Sequence, residues 1–194
     1  MKHKIITISR EFGSGGRTIG KEVAQRLNIP CYDQEFLDHV AQESGYAKEY
    51  IAENGEYTGG WISNAFSGVA STPYGPIGKD YVWIIQRKFI LDLAEKGPCV
   101  IVGRCADWIL QDRSDVLKVF VHASMQFRAD RIVRVYGERE QSPEKRLKTK
   151  DKRRAAYYRY YTDMEWGIAK NYDLSLDSGT IGIETCVDLI VQLY

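Results

Sequence analysis

The chain has 194 residues, of which 44% are hydrophobic, and carries a formal net charge of +1 at pH 7. This length allows one domain with a hydrophobic core, and the near-neutral charge gives no general attraction to nucleic acid or to an anionic membrane. The first apolar run, residues 5–8, is too short for a signal peptide or a membrane span, so we expect a cytoplasmic protein.

The first predicted elements are a strand, a glycine-rich turn and a helix. Residues 5–8 form a β-branched apolar run typical of a buried parallel strand, which ends at Ser9. A helix is predicted from Arg17, with Ile19 and Val23 on its apolar face. The backbone N–H groups of the turn and the positive end of the helix dipole then converge on one point, where an anion is expected. The predicted phosphate-binding residues are Gly13, Ser14, Gly15, Gly16, Arg17 and Thr18.

The turn departs from the standard phosphate loop, G-x-x-x-x-G-K-[ST]. When the end of this motif is placed on residues 16–18, Glu11 replaces its first glycine and Arg17 replaces its lysine. Arg17 would supply the positive charge as a planar fork instead of a compact ammonium, and Thr18 would face a metal ion. Two alternatives stay open. One is a plain connecting turn, and the other is a dinucleotide fingerprint with Thr18 in place of its third glycine.

Farther along the chain, short apolar runs alternate with helical patterns, which predicts a parallel α/β sheet. The further strands are predicted at residues 31–32, 99–102, 117–121 and 172–176. The best helices are predicted over residues 80–95, 124–136 and 183–192, and Lys96-Gly97-Pro98 ends the first of them. Residues 54–78 are rich in glycine and serine and break this periodicity, which indicates either an insert that binds an acceptor or a surface loop.

Several segments resemble the cytidylate kinase-like branch of the P-loop nucleoside monophosphate kinases. They are the opening, PCYDQEFLDHVAQESG, CVIVGRCADWIL and YDLSLDSGTIGIETCVDLI, and the resemblance covers nearly the whole chain. It implies an α/β, three-layer P-loop NTPase fold with a parallel five-stranded sheet. It also implies a single domain over residues 1–194, with its core in residues 1–33, 96–137 and 170–194, an acceptor-binding insert at 34–95 and a lid at 138–169.

The resemblance gives a second placement of the loop motif. When the family's opening, GPSGAGKGT, is laid on this chain from strand to helix, it falls on Arg10 to Thr18. The family's lysine then lands on Gly16, one position before Arg17. Both placements leave the lysine position without a lysine.

An acceptor site is predicted at the end of the strand at 99–102. Arg104 follows this central strand at its carboxyl end, which is where ligands bind in an open α/β sheet. In cytidylate kinases a Gly-Arg pair at this strand end holds the acceptor nucleotide, and Gly103-Arg104 resembles it. The alternative is a surface arginine in a local ion pair. By resemblance to the family's neighbouring helix, Lys79 and Gln86 are also predicted to face the acceptor.

Asp33 follows the second predicted strand, at the same sheet edge as the phosphate loop. A carboxylate there would order the shell of a magnesium ion or bind a substrate hydroxyl. Alternatively, Asp33 caps a helix that begins at Gln34.

The segment 145–161 is dense in basic and aromatic residues. As a lid, Arg153, Arg154 and Arg159 would fold over the triphosphate and neutralise charge on the transferring phosphoryl group. Asp151 and Arg154 match the spacing of an acid and an arginine in the family's lid, so Asp151 is predicted to contact substrate. Two alternatives are a nucleic-acid surface, which the near-neutral charge disfavours, and a solvated helix with tyrosines packed on the body.

Together these predictions describe an enzyme that transfers the γ-phosphoryl group of ATP, with Mg²⁺, to a small phosphorylated acceptor such as CMP. The protein's part in this class is positioning and charge neutralisation, and an acceptor that is already an anion needs no general base. We expect small nucleotides as partners, and neither nucleic acid nor membrane. The alternatives are a nucleotide-binding module or sensor without turnover, which the missing lysine permits, and a kinase of a different small molecule.

Overall fold

The computed structural model describes residues 3–33 and 78–194. The strands in these ranges are β1 (Ile5–Arg10), β2 (Cys31–Tyr32), β3 (Cys99–Val102), β4 (Val116–His122) and β5 (Leu174–Asp177). The helices are α1 (Gly16–Leu27), α2 (Gly78–Lys96), α3 (Ala106–Ile109), α4 (Met125–Tyr136), α5 (Pro143–Thr162), α6 (Ser178–Ile181) and α7 (Ile183–Leu193), with a 3₁₀ helix at Ala169–Asn171.

The five strands form one parallel sheet in the order β2-β3-β1-β4-β5. The central strand is β1, in which Ile6 pairs with Val100 of β3 on one side and with Leu117 of β4 on the other. Its isoleucines are fully buried because helices cover both faces of the sheet. The predicted α/β class and parallel five-stranded sheet are therefore confirmed.

Two apolar layers pack on the opposite faces of the sheet, as the alternation of side chains along a strand requires. One layer joins Ile6 and Ile8 of β1 to the buried faces of α1 and α7. The other joins Ile5 and Ile101 to α2 and α3. The sheet thus lies between two layers of helices, and the carboxyl ends of β1, β3 and β4 meet at one edge.

The strand predictions differ from the structure mainly at β5. β2 and β3 have their predicted bounds, but β5 begins at Leu174 and not at residue 172. The carboxylate of Asp173 accepts a hydrogen bond from the Lys118 N–H at 2.8 Å, while the Asp173 N–H donates to the Lys118 carbonyl at 2.8 Å. The Asp173 carboxylate, and not a backbone carbonyl, thus accepts from the Lys118 N–H, and the regular β5 strand begins at the next residue, Leu174.

The basic and aromatic segment forms one continuous helix, α5, of 20 residues. Ser142 caps it by accepting a hydrogen bond from the Lys145 N–H at 3.4 Å, and Pro143 opens its first turn, where the missing N–H costs nothing. Tyr157 and Tyr158 are buried against the body of the protein. The packing of these tyrosines agrees with the interpretation of this segment as a helix on the body, and α5 also carries the arginines predicted for a lid.

The glycine-rich stretch at 54–78 and a helix beginning at Gln34 lie outside the described residues, apart from Gly78 at the start of α2. The division into core, insert and lid remains a prediction. Among the helices of the described ranges, none is both long enough and apolar enough to cross a membrane.

The close contact of α1 with the sheet depends on Gly20. A Cβ at this position would lie 2.8 Å from Val102 Cγ2 and 3.3 Å from Ile8 Cδ1. We therefore expect Gly20→Val to lower the free energy of unfolding by about 2 kcal/mol through overpacking, measured by urea denaturation. The exposed neighbour Lys21, replaced by alanine, is the control and should change it by less than about 0.5 kcal/mol. Equal stability of Gly20→Val and the native protein would contradict this packing.

Candidate functional site

The phosphate loop has a backbone that only glycine allows at two positions. Gly13 and Gly15 have φ of +83° and +89°. A Cβ on Gly13 would lie 2.9 Å from Ile132 Cγ2, and one on Gly15 would lie 3.0 Å from Ile183 Cδ1. α1 then begins at Gly16, and no side chain caps its N-terminus. This combination of tight turn and uncapped N–H groups is the arrangement that binds phosphate at a helix N-terminus.

Buried hydroxyls hold the loop to the ends of β4 and β5. Ser14 Oγ lies within hydrogen-bond distance of the carbonyl oxygens of Glu11 (2.9 Å) and Val121 (3.1 Å). Ser178 Oγ is hydrogen-bonded to the Ser14 carbonyl at 2.5 Å, with the His122 carbonyl 3.1 Å away. The Ser14 N–H also donates to the Glu11 carbonyl at 3.4 Å, so the predicted contact of Ser14 with phosphate would require one of these protein bonds to be exchanged.

A cleft of about 130 Å³ opens above the loop. Its walls combine the loop glycines with four arginines, so the cleft is electrostatically suited to an anion with several negative charges. The lining residues are Arg10, Glu11, Phe12, Gly13, Gly15, Gly16, Arg17, Thr18, Asp33, Arg131, Tyr136 and Arg154.

The oxygen groups predicted to meet a metal ion are each engaged by an arginine. Arg17 Nε forms an ion pair with Asp33, and Arg131 Nη2 donates a hydrogen bond to Thr18 Oγ1 at 2.9 Å. Burial lowers the pKa of Arg131. Mg²⁺ commonly takes one or two protein oxygens together with substrate phosphates. Thr18 and Asp33 therefore fit a magnesium ion that arrives with a triphosphate, since the phosphate oxygens compete for both arginines.

Asp151 connects α5 to the beginning of the loop. Its Oδ1 accepts a hydrogen bond from the Phe12 N–H at 2.7 Å, and its Oδ2 accepts one from Arg128 Nη1. Both carboxylate oxygens thus have protein partners. The predicted contact of Asp151 with substrate would require one of these bonds to be exchanged.

No pattern in the sequence indicates the role of Arg128, which is 5% exposed. Its Nε donates to the Ala123 carbonyl at 3.0 Å and lies 3.3 Å from Glu11 Oε2. Glu11 Oε2 also accepts from the Ala123 N–H at 3.2 Å, and burial raises the pKa of this carboxyl. A buried, paired arginine in an amphipathic helix looks like a surface arginine in the sequence, because only tertiary packing distinguishes the two.

A second pocket lies at the carboxyl end of β3, next to the cleft. Gly103, Arg104 and Cys105 have successive φ values of +82°, +60° and +55°. The left-handed conformation is uncommon for arginine and cysteine, and strain of about 1–3 kcal/mol per residue is typically kept at functional sites. The pocket is lined by Ser9, Arg10, Gly103, Arg104, Cys105, Arg154, Tyr157, Tyr158 and Trp166.

Two buried hydrogen bonds support this pocket from behind. The Tyr157 hydroxyl donates to Gln86 Oε1 at 2.8 Å, and the Tyr158 hydroxyl donates to Asp107 Oδ2 at 2.7 Å. Gln86 is fully buried and is not among the residues lining the pocket, so it adjoins the predicted acceptor site through Tyr157. Lys79 lies in α2, and its side chain is outside the described part of the chain.

The three arginines predicted for a lid have different positions along α5. Arg154 lines both pockets, and its Nη1 donates to the Arg10 carbonyl at 2.9 Å. Arg153 lines an adjoining groove whose wall includes the stacked rings of Phe12 and Tyr136. Arg159 is exposed and lines neither pocket. The structure therefore brings Arg17, Arg104 and Arg154 to adjoining pockets, and their roles remain predictions.

Burial raises the pKa of Asp107, so its effect on stability should depend on pH. Above the ordinary pKa of aspartate the unfolded chain releases a proton that the folded protein keeps, so stability falls as pH rises toward the raised pKa. Asp107→Asn keeps an acceptor for Tyr158 and removes the titration. We expect the variant to gain stability relative to the native protein as pH increases, measured by urea unfolding between about pH 4 and pH 8. A difference independent of pH would contradict this prediction.

Comparison with known proteins identifies the family. The model of the cytidylate kinase-like family matches residues 5–180, which include the residues lining both pockets. A cytidylate kinase from Haloarcula marismortui is 28% identical over 178 residues, covering 90% of this chain and 80% of that protein.

Solved structures of other proteins share this fold. An uncharacterized protein from Eubacterium ventriosum is 29% identical with a TM-score of 0.74, over 97% of this chain and 96% of that chain. A shikimate kinase from Acinetobacter baumannii in complex with shikimate is 13% identical with a TM-score of 0.53, over 98% and 92% of the two chains. A gluconokinase from Sinorhizobium meliloti is 16% identical with a TM-score of 0.55, over 99% and 95%. At these identities the last two share the fold alone. The chain belongs to the cytidylate kinase-like family and has the three-layer α/β fold of P-loop kinases.

Proposed function

We propose that this protein transfers the γ-phosphoryl group of ATP to a small phosphorylated acceptor, with a nucleoside monophosphate such as CMP as the leading candidate. One arrangement carries the proposal: the cationic cleft and the pocket at the end of β3 adjoin, and Arg10 and Arg154 line both. Transfer needs the attacking and leaving oxygens roughly in line, with positive charge between donor and acceptor. Membership of the cytidylate kinase-like family supports a phosphotransferase.

On the donor side, the backbone N–H groups between Gly13 and Thr18 would hold the β- and γ-phosphates. Arg17 and Arg131 would leave Asp33 and Thr18 for phosphate oxygens, which carry more charge than either present partner. Magnesium, held by Thr18 and Asp33 together with the phosphates, would neutralise part of the triphosphate charge.

On the acceptor side, Arg104 offers a guanidinium suited to paired contacts with a phosphate. Trp166 and Tyr157 give the same pocket apolar and aromatic walls, which suit a base or another flat group. An acceptor phosphate is already anionic at neutral pH, so the protein would need to position and shield it without removing a proton. Arg154 would then stabilise charge on the transferring group at the boundary of the two pockets.

The rival function is a nucleotide-binding module or sensor without turnover. It is favoured by the loop itself, in which neither placement of the motif supplies the lysine and Arg17 is held by Asp33. Binding of ATP is expected from both functions. Only the kinase needs Arg154 to act more strongly in the transition state than in the bound ground state.

Arg17→Ala tests the donor site. Because the proposed contact is with phosphate only, we expect affinity for ATP to fall by about tenfold, the value of one charge-assisted hydrogen bond, and affinity for adenosine to stay unchanged. Isothermal titration calorimetry with both ligands measures this. Equal losses for the two ligands would indicate disturbed folding and would contradict a role toward phosphate.

Arg154→Ala separates the kinase from the sensor. We expect kcat for transfer from ATP to CMP to fall by about 10³-fold, and the Kd of ATP to rise much less, because the role is in the transition state. Lys152→Ala is the matched control, since Lys152 is an exposed cation on the same helix and should leave kcat unchanged.

Native protein that binds ATP but transfers phosphate to no nucleoside monophosphate or other small phosphorylated acceptor would refute the kinase. The sensor function would then be supported if Arg154→Ala lowered the affinity for ATP.

Arg104→Ala tests the acceptor site. If the protein is a kinase, this variant should raise the KM of the acceptor and leave the affinity for ATP unchanged.

A further inference from the structure

Side chains at positions 10 and 16 of the phosphate loop would occupy the same space. A Cβ on Gly16 would lie 2.5 Å from the Cβ of Arg10 and 2.9 Å from its Cγ. Unbonded carbon atoms do not approach so closely in a packed interior, since repulsion rises steeply inside van der Waals contact. A side chain on residue 16 therefore requires either that residue 10 has none or that the backbone between β1 and α1 shifts.

The cytidylate kinase opening that this chain resembles has the opposite arrangement at these two positions. With GPSGAGKGT on residues 10–18, glycine stands at position 10 and lysine at position 16, whereas this chain has Arg10 and Gly16. α1 begins at residue 16, directly after the left-handed Gly15, so a side chain there would leave from the first turn of the helix. The stem of Arg10 occupies the start of that path. Relative to that motif, the cationic side chain stands at position 10 instead of position 16, and glycine stands at position 16 instead of position 10.

The guanidinium of Arg10 reaches from the loop to the second pocket. A Cβ on Gly103 would overlap it, since that atom would lie 3.0 Å from Arg10 Cζ and closer still to Nη1. Gly103 is the residue that follows β3 and opens the pocket containing Arg104. Glycine at positions 16 and 103 thus makes the space along which the Arg10 side chain runs.

The backbone of Arg10 is held at both sides of this path. As the last residue of β1, it pairs with Val121 of β4, and its carbonyl accepts a hydrogen bond from Arg154. A guanidinium placed by a central strand and by packed glycines needs little reorganisation when charge develops beside it, which is the condition for effective electrostatic stabilisation.

We infer that Arg10 is a catalytic residue that replaces the missing lysine of the phosphate loop, supplying its cation from the end of β1 instead of the start of α1. This inference rests on the proposed phosphoryl transfer. While the bond from γ-phosphorus to the bridging oxygen of ATP breaks and the bond to the acceptor oxygen forms, the guanidinium donates hydrogen bonds to the non-bridging oxygens. It gains and loses no proton.

Arg17 does not meet the same geometric condition. Its side chain is 45% exposed, and its Nε is paired with Asp33, which also lines the cleft. It lines the phosphate cleft but not the acceptor pocket, whereas Arg10 lines both. Arg17 is placed to bind the donor, and Arg10 is placed between donor and acceptor.

An exchange of the two residues tests the inference. We expect Arg10→Gly to lower kcat by about 10²- to 10³-fold and the affinity for ATP by about tenfold, with the affinity for adenosine unchanged. The double variant Arg10→Gly with Gly16→Lys restores the family's arrangement and should recover at least about tenfold in kcat over Arg10→Gly alone. Circular dichroism and thermal melting establish that each variant is folded.

The matched control keeps the Cβ atom at position 10, which obstructs a side chain at position 16. Arg10→Ala with Gly16→Lys adds the same lysine but leaves a Cβ at position 10, which would lie 2.5 Å from the new Cβ. This variant should be destabilised and should not recover activity. If its kcat recovered as much as that of Arg10→Gly with Gly16→Lys, steric exclusion between positions 10 and 16 would be refuted.

The inference and the proposed function fail in different ways. Folded Arg10→Gly that keeps the native kcat and the native affinity for ATP overturns the inference while transfer itself stands. If the native protein transfers no phosphoryl group, the proposed function fails. Calorimetry then decides the inference separately: a selective loss of ATP affinity in Arg10→Gly supports Arg10 as the cation of the loop, and unchanged affinity refutes it.

Discussion

The carboxylate of Asp151 connects the long helix α5 to the phosphate loop, and the geometry of both pockets depends on this contact. One oxygen binds the Phe12 amide across 139 positions of sequence, and the other binds Arg128. Arg128 is buried and charged, so its carboxylate partners must offset a desolvation cost of several kcal/mol. Through this contact α5 is held where Arg154 reaches the boundary between the cleft and the pocket. The wall that the two pockets share includes Arg154 of this helix.

The concentration of arginines above the loop imposes a second constraint. Like charges in a partly buried site repel each other, so the folded protein needs oxygen groups beside them before any ligand binds. Asp33 pairs with Arg17, and Thr18 accepts a hydrogen bond from Arg131. These partners are weaker than a triphosphate with its multiple charges. The site can therefore fold without ligand, and a bound triphosphate would compete with these partners for the arginines.

The glycines of the site have two roles: some give the loop its left-handed backbone, and others leave room for the Arg10 side chain. Gly13 and Gly15 provide left-handed backbone, which would let an anion approach the N–H groups of the loop. Gly16 and Gly103 instead leave room for Arg10, whose stem and guanidinium pack where their Cβ atoms would be. The same residue type thus has two different roles within one site, and the distinction depends on which neighbour occupies the vacated space.

Features that depend on residues close together in the chain follow from local patterns. The bounds of β2 and β3, the end of α2 before Gly97 and the strand-turn-helix of the phosphate loop follow from apolar periodicity and from glycine and proline. Which charged residues are buried, and which groups they contact, depends on the packing of distant segments. Tyr158 meets Asp107 across 51 positions, and the Arg10 guanidinium packs against Gly103. Such contacts join elements brought together by the sheet, so no local pattern of residues can predict them.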